Sequence, residues 1–240
     1  MNNIKKENLI FGRNPVKEAI KHNSVVSLVM AENFHDGEIN NLIHSTSLKT
    51  KIVSVNELNQ MCQGGVHQGI AAIIKPYQTH SLEEIIFKSK KEKNPIIVML
   101  DGINDPHNFG AILRCCDIFG VLGVVIAKHN QVQLNATVAK TSAGAINYVP
   151  VVSVTNLNNA IKALKDAGFW IVASSGQATT NYQDIKYDFP TVLVIGNEGD
   201  GVSNLVLKNS DYIVKITMYG KVNSLNASVA TGVLLSRIKN

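Results

Sequence analysis

The stretch PIIVMLDGINDPHNFGAILR at residues 95–114 decides the fold class of this chain. It opens with Ile96–Leu100, a continuous apolar run typical of strands that are buried on both faces. A loop rich in Gly, Asn and Asp follows this run, and the next residues predict a helix that carries Arg114. A strand, a loop and a helix in this order form the repeating unit of α/β folds.

The same order recurs along the rest of the chain. Further apolar runs, separated by predicted helices, lie at Val124–Ala127, Trp170–Ala173 and Thr191–Ile195. The last helix is predicted to start near Ser224 and to bear an apolar face made of Val229, Val233 and Leu234. Residues 94–240 therefore predict a parallel or mixed sheet that is sandwiched by helices.

Residues 1–75 predict a separate, smaller α/β unit. Asn14 and Pro15 form an N-cap and first-turn pair that opens a helix reaching about Lys21. A second helix is predicted at Asn40–Leu48, and strands are predicted at Val25–Met30, Ile52–Val55 and Gly69–Ile74. Residues 76–93 include a run of lysines and predict a solvated linker between the two units.

The composition is that of a folded chain that does not span a membrane. Hydrophobic residues make up 45% of the chain and charged residues 17%, and no apolar run approaches the ~20 residues of a transmembrane helix. Residues 1–7 lack the apolar segment of a secretory signal, which predicts a cytoplasmic protein. Cys62, Cys115 and Cys116 fit neither a disulfide framework nor zinc-ligand spacing, so reduced thiols and no metal site are expected.

The basic residues favour a polyanionic partner without requiring one. The net charge is +5, and among the 23 basic residues only Arg13, Arg114 and Arg237 are arginine. In a chain so rich in lysine, a retained arginine indicates a place that needs the planar, bidentate guanidinium. Arg237 lies near the end of the sequence and is predicted to be a surface side chain, so Arg13 and Arg114 are the functional candidates.

The loop after Ile96–Leu100 carries side chains that could bind an anion. Asn108, Gly110 and Arg114 have the spacing N-x-G-x-x-x-R, with Asn108 near the start of the predicted helix. Free backbone N–H groups at a helix N-terminus attract anions. The alternative interpretation is that Asn108 caps the helix and that Arg114 is a surface side chain.

A second loop, residues 196–201, follows the strand at Thr191–Ile195 and holds three glycines. Their spacing is G-x-x-G-x-G, which differs from the dinucleotide-binding pattern and disfavours a nucleotide-dependent oxidoreductase. Because glycines let the backbone approach a ligand closely, the loop favours a mostly backbone pocket for an adenosine-type molecule. Glu198 in its middle is either a ligand contact or an ordinary turn carboxylate.

A third loop, Ile216–Ser228, ends in a cluster of polar side chains. If Ser224 caps the last helix, then Asn226 and Ser228 fall in its first turn, where capping alone does not require them. All three loops follow strands of one predicted sheet, and open α/β folds bind ligands at the carboxyl ends of their strands. The three loops together therefore predict a single site.

These segments closely resemble the three signature motifs of the SpoU (TrmH) family of RNA 2′-O-ribose methyltransferases, within the SPOUT superfamily. The third motif of that family reads I-P-M-x-G-x-x-x-S-L-N-V-S, and the chain departs from it only at Thr217 and Ala227. The resemblance covers nearly the whole chain and includes residues 11–16 and 67–70. Residues 133–137 and 149–157 resemble one branch of the family, which methylates a guanosine 2′-hydroxyl in the peptidyl-transferase region of 23S rRNA.

The resemblance implies an L30e-like α/β domain at residues 1–75 that binds RNA. It also implies a SPOUT α/β-knot domain at residues 94–240, which is a trefoil-knotted fold with a mainly parallel sheet. Its cofactor would be S-adenosyl-L-methionine with no metal, and the protein would be a homodimer that acts on 23S rRNA or a large-subunit precursor.

The resemblance also implies roles for individual residues. Arg114 would be the general base, or it would stay protonated, clamp a phosphate and stabilise the developing alkoxide. The other catalytic residues implied are Asn108, Ser224 and Asn226, which would orient the ribose and the first loop, and Glu198, which would hold this arrangement. Cofactor contacts, mostly from the backbone, are implied at Gly196, Ile216, Met218, Gly220 and Leu225. Arg13 is implied to bind RNA phosphates.

Three alternatives stay open at this point. The chain could be a tRNA guanosine 2′-O-methyltransferase, a ribosome-methylating antibiotic-resistance enzyme, or a non-catalytic rRNA-binding assembly factor of the same fold. The two-domain layout favours rRNA over tRNA. The complete set of Arg114, Glu198, Ser224 and Asn226 argues against a factor that has lost its activity.

Overall fold

The computed structural model describes residues 8–240, which form two compact units. The first unit holds the described chain up to Gln78 together with Leu134–Asn147, and the second holds Thr79–Gln133 and Tyr148–Asn240. The prediction about a signal segment concerns residues 1–7, which lie outside the described residues. Within residues 8–240, no helix is both long enough and apolar enough to cross a membrane.

The helices and strands mostly alternate, except that the three strands within residues 170–196 follow one another with no α-helix between them. Up to the middle of the chain they are β1 (Leu9–Phe11), α1 (Arg13–Lys21), β2 (Val25–Ala31), α2 (Gly37–His44), β3 (Lys49–Val53), α3 (Val55–Met61), β4 (Ile70–Ile74), α4 (Leu82–Ser89), β5 (Ile96–Asp101), α5 (Pro106–Ile118) and β6 (Gly123–Ala127). The remaining elements are α6 (Ala136–Thr141), β7 (Val151–Val154), α7 (Leu157–Asp166), β8 (Trp170–Ser174), β9 (Thr180–Asn181), β10 (Thr191–Gly196), α8 (Asn204–Lys208), β11 (Tyr212–Lys215) and α9 (Ala227–Lys239).

The first unit is built on a four-stranded sheet in the order β1-β4-β2-β3. β2 and β3 run parallel, whereas β4 is antiparallel to both β1 and β2. One face of the sheet packs against buried side chains of α1 and α2, including Val16 and Ile39. The other face packs against α3 through Leu58. Covering both faces of this sheet gives the small α/β unit that the sequence predicts.

Helix starts in the first unit differ from the predicted ones. Gly12 precedes α1 with a φ of 96°, a conformation that favours glycine, so Asn14 lies inside the helix and is not its N-cap. Asp36 caps α2, and Ser54 caps α3, which ends β3 at Val53. α1 and α2 thus start earlier than predicted, and α3 begins where the sequence predicted the end of a strand.

The second unit contains a seven-stranded sheet in the order β7-β6-β5-β10-β8-β11-β9, and every neighbouring pair is parallel. The central strand β5 is buried on both faces, with Ile97–Leu100 at 0% exposure. The prediction of an α/β fold with a mainly parallel sheet is therefore confirmed. In an all-parallel sheet the carboxyl ends of the strands share one edge, which is where the three loops of interest begin.

The segment predicted as a linker, residues 76–93, contains the helix α4. Ser81 caps this helix by accepting a hydrogen bond from the Glu84 N–H at 3.2 Å. Ile85 is completely buried in the core of the second unit, where it lies among side chains of β5 and β6. The lysines that suggested a linker lie on the exposed face of α4 and in the residues just after it. Their charge made the segment look solvated, although its apolar residues pack into the core.

The last helix also differs from its prediction. Asn226, not Ser224, is the N-cap of α9 and accepts a hydrogen bond from the Ser228 N–H at 2.9 Å. Val229, predicted on the apolar face, is 51% exposed, while Leu234 is buried as expected. The buried face of α9 consists of Ala227, Thr231, Leu234, Leu235 and Ile238.

A substitution in α4 tests whether this helix belongs to the core. Ile85→Ala should lower the free energy of unfolding of the second unit by about 3 kcal/mol, because it leaves a cavity beside β5 and β6. Phe87→Ala is the matched control: Phe87 is 65% exposed, so its removal should change the free energy by less than about 0.5 kcal/mol. Urea denaturation of both variants provides the measurement. Equal stability of the two variants would contradict the packing of α4.

Candidate active site

Hydrogen bonds join the three predicted loops at the carboxyl edge of the parallel sheet. The Asn108 side-chain amide in α5 donates to the Glu198 carboxylate in the loop after β10. The Asn226 amide at the start of α9 donates to the Asn108 Oδ1 at 2.8 Å. One continuous chain of side chains therefore links the loops after β5, β10 and β11.

The residues at the two ends of this hydrogen-bonded network, Ser228 and Glu198, fix the direction of every hydrogen bond in it. The Ser228 hydroxyl and the Ser228 N–H both donate to the Asn226 Oδ1, at 2.6 Å and 2.9 Å. The Asn226 Nδ2 must then be the donor to Asn108, and the Asn108 Nδ2 the donor to Glu198. Because a carboxylate only accepts hydrogen bonds, Glu198 sets the orientation of both amides.

Helix capping explains why Asn108 is available for this network. Asp105 is the N-cap of α5 and accepts from the His107 N–H at 2.8 Å, while Pro106 occupies the first turn. Asn108 lies deeper in the first turn, so its amide is not needed for capping. The alternative interpretation of Asn108 as a helix cap is therefore wrong.

The loop that carries Glu198 is held by backbone and side-chain contacts. The Asn197 Oδ1 accepts from the N–H groups of Gly199 and Asp200, at 2.8 Å and 2.7 Å. The Asp101 carboxylate at the end of β5 accepts from the Ser203 N–H at 2.8 Å. A Cβ on Gly196 would lie 2.1–2.2 Å from the Gly201 carbonyl group and the Val202 nitrogen, so the loop folds back too closely for any side chain at residue 196.

Arg114 lies on α5, two turns after Asn108, and its side chain is exposed. Across residues 8–240, no hydrogen bond or ion pair engages its guanidinium, which leaves all of its N–H donors open to a ligand. The next residue, Cys115, points toward α9 and its thiol contacts the Ser228 carbonyl oxygen at 3.9 Å. Burial raises the pKa of the Cys115 thiol, while the nearby Arg114 opposes this shift. Cys115 therefore connects α5 to α9 as a neutral thiol.

The third loop offers unused backbone groups to a ligand. From Thr217 to Leu225, the backbone makes no hydrogen bond to other backbone groups of the described chain. The loop is anchored at its start by the Asn181 Nδ2, which donates to the Thr217 Oγ1 at 2.7 Å. Open space surrounds Gly220, where a Cβ would meet no atom within 4 Å.

These features fit the predicted cofactor-binding residues. Ile216 and Met218 are half-buried at the base of the third loop, whereas Gly220 and Leu225 are exposed toward its end. Backbone N–H and C=O groups of this kind match the adenine edge and the amino-acid carboxylate of a nucleoside-like ligand. Ser224 is exposed in the same loop, and its hydroxyl makes no hydrogen bond within residues 8–240.

Two other predicted features lie outside the network. Arg13 belongs to the first unit, where its guanidinium lies 3.3 Å from the Asp36 carboxylate and over the Phe34 ring. The Arg13 guanidinium therefore makes contacts within the first unit, although 47% of its side chain stays exposed. Within residues 8–240, no cluster of three or more His, Cys, Asp or Glu side chains is arranged to hold a metal ion.

Sequence reasoning did not assign roles to Ser228, Asn197 and Asp101. Ser228 stood inside the third motif, but its hydroxyl becomes part of the network only because Asn226 rather than Ser224 caps α9. Asn197 and Asp101 each stand next to a predicted site residue or at a strand end. Asn197 accepts from N–H groups two and three residues on, a local turn that its sequence position could have indicated. Asp101 accepts from the distant Ser203 N–H, which no spacing in the sequence reveals.

Comparison with known proteins identifies the class to which this fold and site belong. Residues 95–236 match the model of the SpoU rRNA Methylase family, and residues 9–80 match that of RNA 2′-O ribose methyltransferase substrate-binding domains. A Staphylococcus epidermidis protein named for the TrmH family of tRNA/rRNA methyltransferases is 39% identical over 96% of this chain and 94% of its own length.

Solved structures show the same fold. The SpoU methyltransferase AviRb from Streptomyces viridochromogenes, solved in complex with AdoMet, superimposes with a TM-score of 0.83 at 23% identity, covering 96% of this chain and 88% of that one. The Aquifex TrmH/SpoU tRNA-modifying enzyme (A. aeolicus) is 34% identical over 66% of this chain and 80% of its own, with a TM-score of 0.56.

The chain is thus an RNA 2′-O-ribose methyltransferase that uses S-adenosylmethionine, and it belongs to the SpoU (TrmH) family. The expected family, fold class, enzyme class and cofactor are confirmed. The roles of individual residues in this chain remain predictions that rest on the network described above.

An isosteric change at Asn226 tests the network without disturbing the helix. Asn226→Asp replaces the donor amide with an oxygen that faces the Asn108 Oδ1, so Asn108 must turn and present its own oxygen to Glu198. We expect kcat to fall by about a hundredfold. The melting temperature should stay unchanged, because Asp caps helices as well as Asn does.

Asn156→Asp is the matched control for that variant. Asn156 caps α7 by accepting from the N–H groups of Asn158 and Asn159, and its own amide lies outside the network. This variant should retain wild-type kcat and stability. An Asn226→Asp variant with wild-type kcat would show that the network does not position reacting groups.

Proposed function

We propose that the chain methylates the ribose 2′-hydroxyl of a guanosine in the peptidyl-transferase region of 23S rRNA. The observation that carries this proposal is the network of Ser228, Asn226, Asn108 and Glu198, which joins all three family motifs beside an unpaired Arg114. The preference for 23S rRNA rests on the resemblance of residues 133–137 and 149–157 to the branch of the family that methylates 23S rRNA. The substrate-binding match at residues 9–80 supports a separate RNA-binding part.

A tRNA substrate is the second candidate. The curated relatives are named as tRNA/rRNA methyltransferases, and a neighbour of the second unit is a tRNA-modifying enzyme. The chain differs from that neighbour in extent, since the match covers 66% of it. An unreactive assembly factor is disfavoured because Arg114, Glu198, Ser224 and Asn226 are all present and exposed.

The proposed mechanism separates binding from charge stabilisation. S-adenosylmethionine, when bound, supplies an electrophilic methyl group, and the backbone at Gly196, Ile216, Met218, Gly220 and Leu225 would hold it. Asn108, Ser224 and Asn226 would orient the ribose, with Glu198 keeping the Asn108 amide in place. Positioning of this kind lowers the barrier of an in-line displacement because the reactants lose little further freedom.

We assign Arg114 as a charged clamp for the phosphate and for the developing 2′-oxyanion. Its guanidinium is exposed to water and unpaired within residues 8–240, and guanidinium groups stay protonated in proteins. A protonated guanidinium stabilises negative charge on the ribose oxygen while the 2′-hydroxyl passes its proton to solvent water. The clamp therefore fits the exposed environment of Arg114 better than the role of general base does.

Methyl transfer from labelled S-adenosylmethionine tests the substrate directly. The purified chain would be offered transcripts of 23S rRNA, 16S rRNA and tRNA, and a large-subunit precursor particle, followed by nucleoside analysis. The expected result is label in 2′-O-methylguanosine from 23S rRNA or its particle alone. Label in tRNA would overturn the rRNA assignment, and cofactor binding without transfer to any of these RNAs would support the assembly factor.

Replacing Arg114 with lysine tests the need for its bidentate fork. Arg114→Lys should lower kcat by about a hundredfold, because lysine keeps the positive charge but lacks the paired N–H donors of the guanidinium. The affinity for S-adenosylmethionine should stay unchanged. Arg237→Lys is the control, because Arg237 donates to the backbone oxygens of Gln183 and Ile185, away from the network. Near-full activity of Arg114→Lys would refute the clamp in this form.

We also propose that the chain is a homodimer that associates through α5 and α9. These two packed helices each expose an apolar side chain, with Ile118 at 67% and Val229 at 51% exposure. The nearby third loop adds Tyr219 and Val222, which are 96% and 73% exposed. Exposed apolar side chains on two packed helices and on the loop that leads into one of them are typical of a surface that a partner covers.

A charge placed on this surface tests the dimer. Ile118→Glu should convert the protein to a monomer, because dimer formation would bury the new carboxylate without a partner. Leu205→Glu, on α8 and 58% exposed, is the control and should leave the dimer intact. Light scattering coupled to size exclusion gives the mass of each variant, and a monomeric wild-type protein would contradict the proposal.

A further inference from the structure

The first unit contains a cavity that the methyl-transfer reaction does not use. Its volume is about 550 Å³, and it opens between the start of α1, the Val66–Gln68 turn and the end of α6. Two separate stretches of the chain line it, since Lys140 and Gly144 come from the segment Leu134–Asn147 that packs with the first unit. The cavity is therefore built from residues on both sides of β5 in the sequence.

An aromatic ring and an unpaired cation lie together in the wall of this cavity. The Lys140 ammonium is positioned over the Phe11 ring, 4.9 Å from its centroid. Within residues 8–240, no carboxylate forms an ion pair with Lys140. A lysine that no carboxylate pairs, held against an aromatic ring that also lines the cavity, is a combination that can meet a phosphate by charge and a nucleobase by contact with the ring.

The other polar groups of the cavity fit the same kind of ligand. Asn14 and Gln68 are exposed, and their amides can read the edge of a base, although the Gln68 Oε1 already accepts from the Arg13 N–H at 2.9 Å. Lys17 and Glu18 also line the cavity, and each is paired with a charge of opposite sign, at 2.8 Å and 3.4 Å. Among the charged side chains in this wall, Lys140 is therefore the one without an ion-pair partner within residues 8–240.

We infer that this cavity holds one nucleotide of the RNA substrate, with its base against Phe11 and its phosphate at Lys140. The volume lies within the range of pockets that enclose a ligand of nucleotide size, roughly 300–1,000 Å³. The inference rests on the proposed function in that it takes RNA as the substrate. It adds that the segment between β6 and β7 supplies part of the RNA-binding surface of the first unit.

A matched pair of lysine variants tests the phosphate contact. Lys140→Gln should weaken binding of fluorescein-labelled 23S rRNA fragments about fivefold and lower the slope of log affinity against log salt by about 1. Lys49→Gln carries the same charge change on β3, at the opposite edge of the sheet from β1, and should alter affinity by less than about twofold. Equal losses in both variants would overturn the inference in favour of diffuse electrostatic attraction.

A second pair tests the cavity itself without removing a lysine. Val66→Glu places a carboxylate at the mouth of the cavity, where Val66 is 72% exposed, and should weaken binding of the same RNA about tenfold. Val26→Glu adds the same charge at a residue on β2 that is 53% exposed and outside the cavity, and it should have little effect. Because both residues are exposed, both variants should fold, which thermal melting would verify.

Photochemical cross-linking locates the bound nucleotide. Wild-type protein irradiated with 4-thiouridine-containing 23S rRNA should give adducts on the peptides that carry Phe11 or Lys140, and adducts confined to other peptides would overturn the assignment. Excess guanosine monophosphate should reduce these adducts, because a site that takes one nucleotide of RNA is open to competition by a free nucleotide. Adducts at the cavity without any methyl transfer would support this inference and contradict the proposed function. Methyl transfer together with an unaltered RNA affinity of the Lys140→Gln variant would support the proposed function and contradict this inference.

Discussion

The in-register parallel pairing of β5 with β10 is the constraint on which the catalytic unit depends. The two strands run side by side from Ile96 and Thr191 to Asp101 and Gly196, so both loops leave the sheet at the same level. Asp101 then reaches across to the Ser203 N–H, and the tight return at Gly196 brings Glu198 toward α5. A shift of register by one residue would turn the buried faces of both strands and separate the two loops.

At this edge of the sheet, helix capping determines which side chains are available to the site. Asp105 satisfies the first free N–H groups of α5, which releases Asn108 to bond with Glu198 and Asn226. At α9 a single residue does both tasks, since the Asn226 Oδ1 caps the helix while its Nδ2 orients Asn108. Because each amide has a fixed donor and acceptor, the network has one arrangement, and the residue that caps α9 also fixes the orientation of Asn108.

Separate units for binding and for catalysis suit a large RNA substrate. The first unit collects cationic and aromatic side chains around its cavity, and the second holds the hydrogen-bonded network. The segment Leu134–Asn147 lies between β6 and β7 of the catalytic sheet in sequence, yet it packs with the first unit. The two proposals therefore assign RNA affinity to Lys140 in one unit and methyl transfer to the network around Asn226 in the other.

The sequence by itself determined the α/β class, a parallel or mixed sheet and three polar loops that follow its strands, because buried strands and glycine-rich turns leave local patterns. It also indicated Arg114, Asn108, Glu198 and Asn226 through motif spacing. The tertiary structure alone decided that α4 packs into a core, that Asn226 rather than Ser224 caps α9, and that Ser228 completes the network. It alone brought Lys140 to Phe11 across 128 residues of chain, because contacts between distant residues depend on how layers pack and leave no periodicity in the sequence.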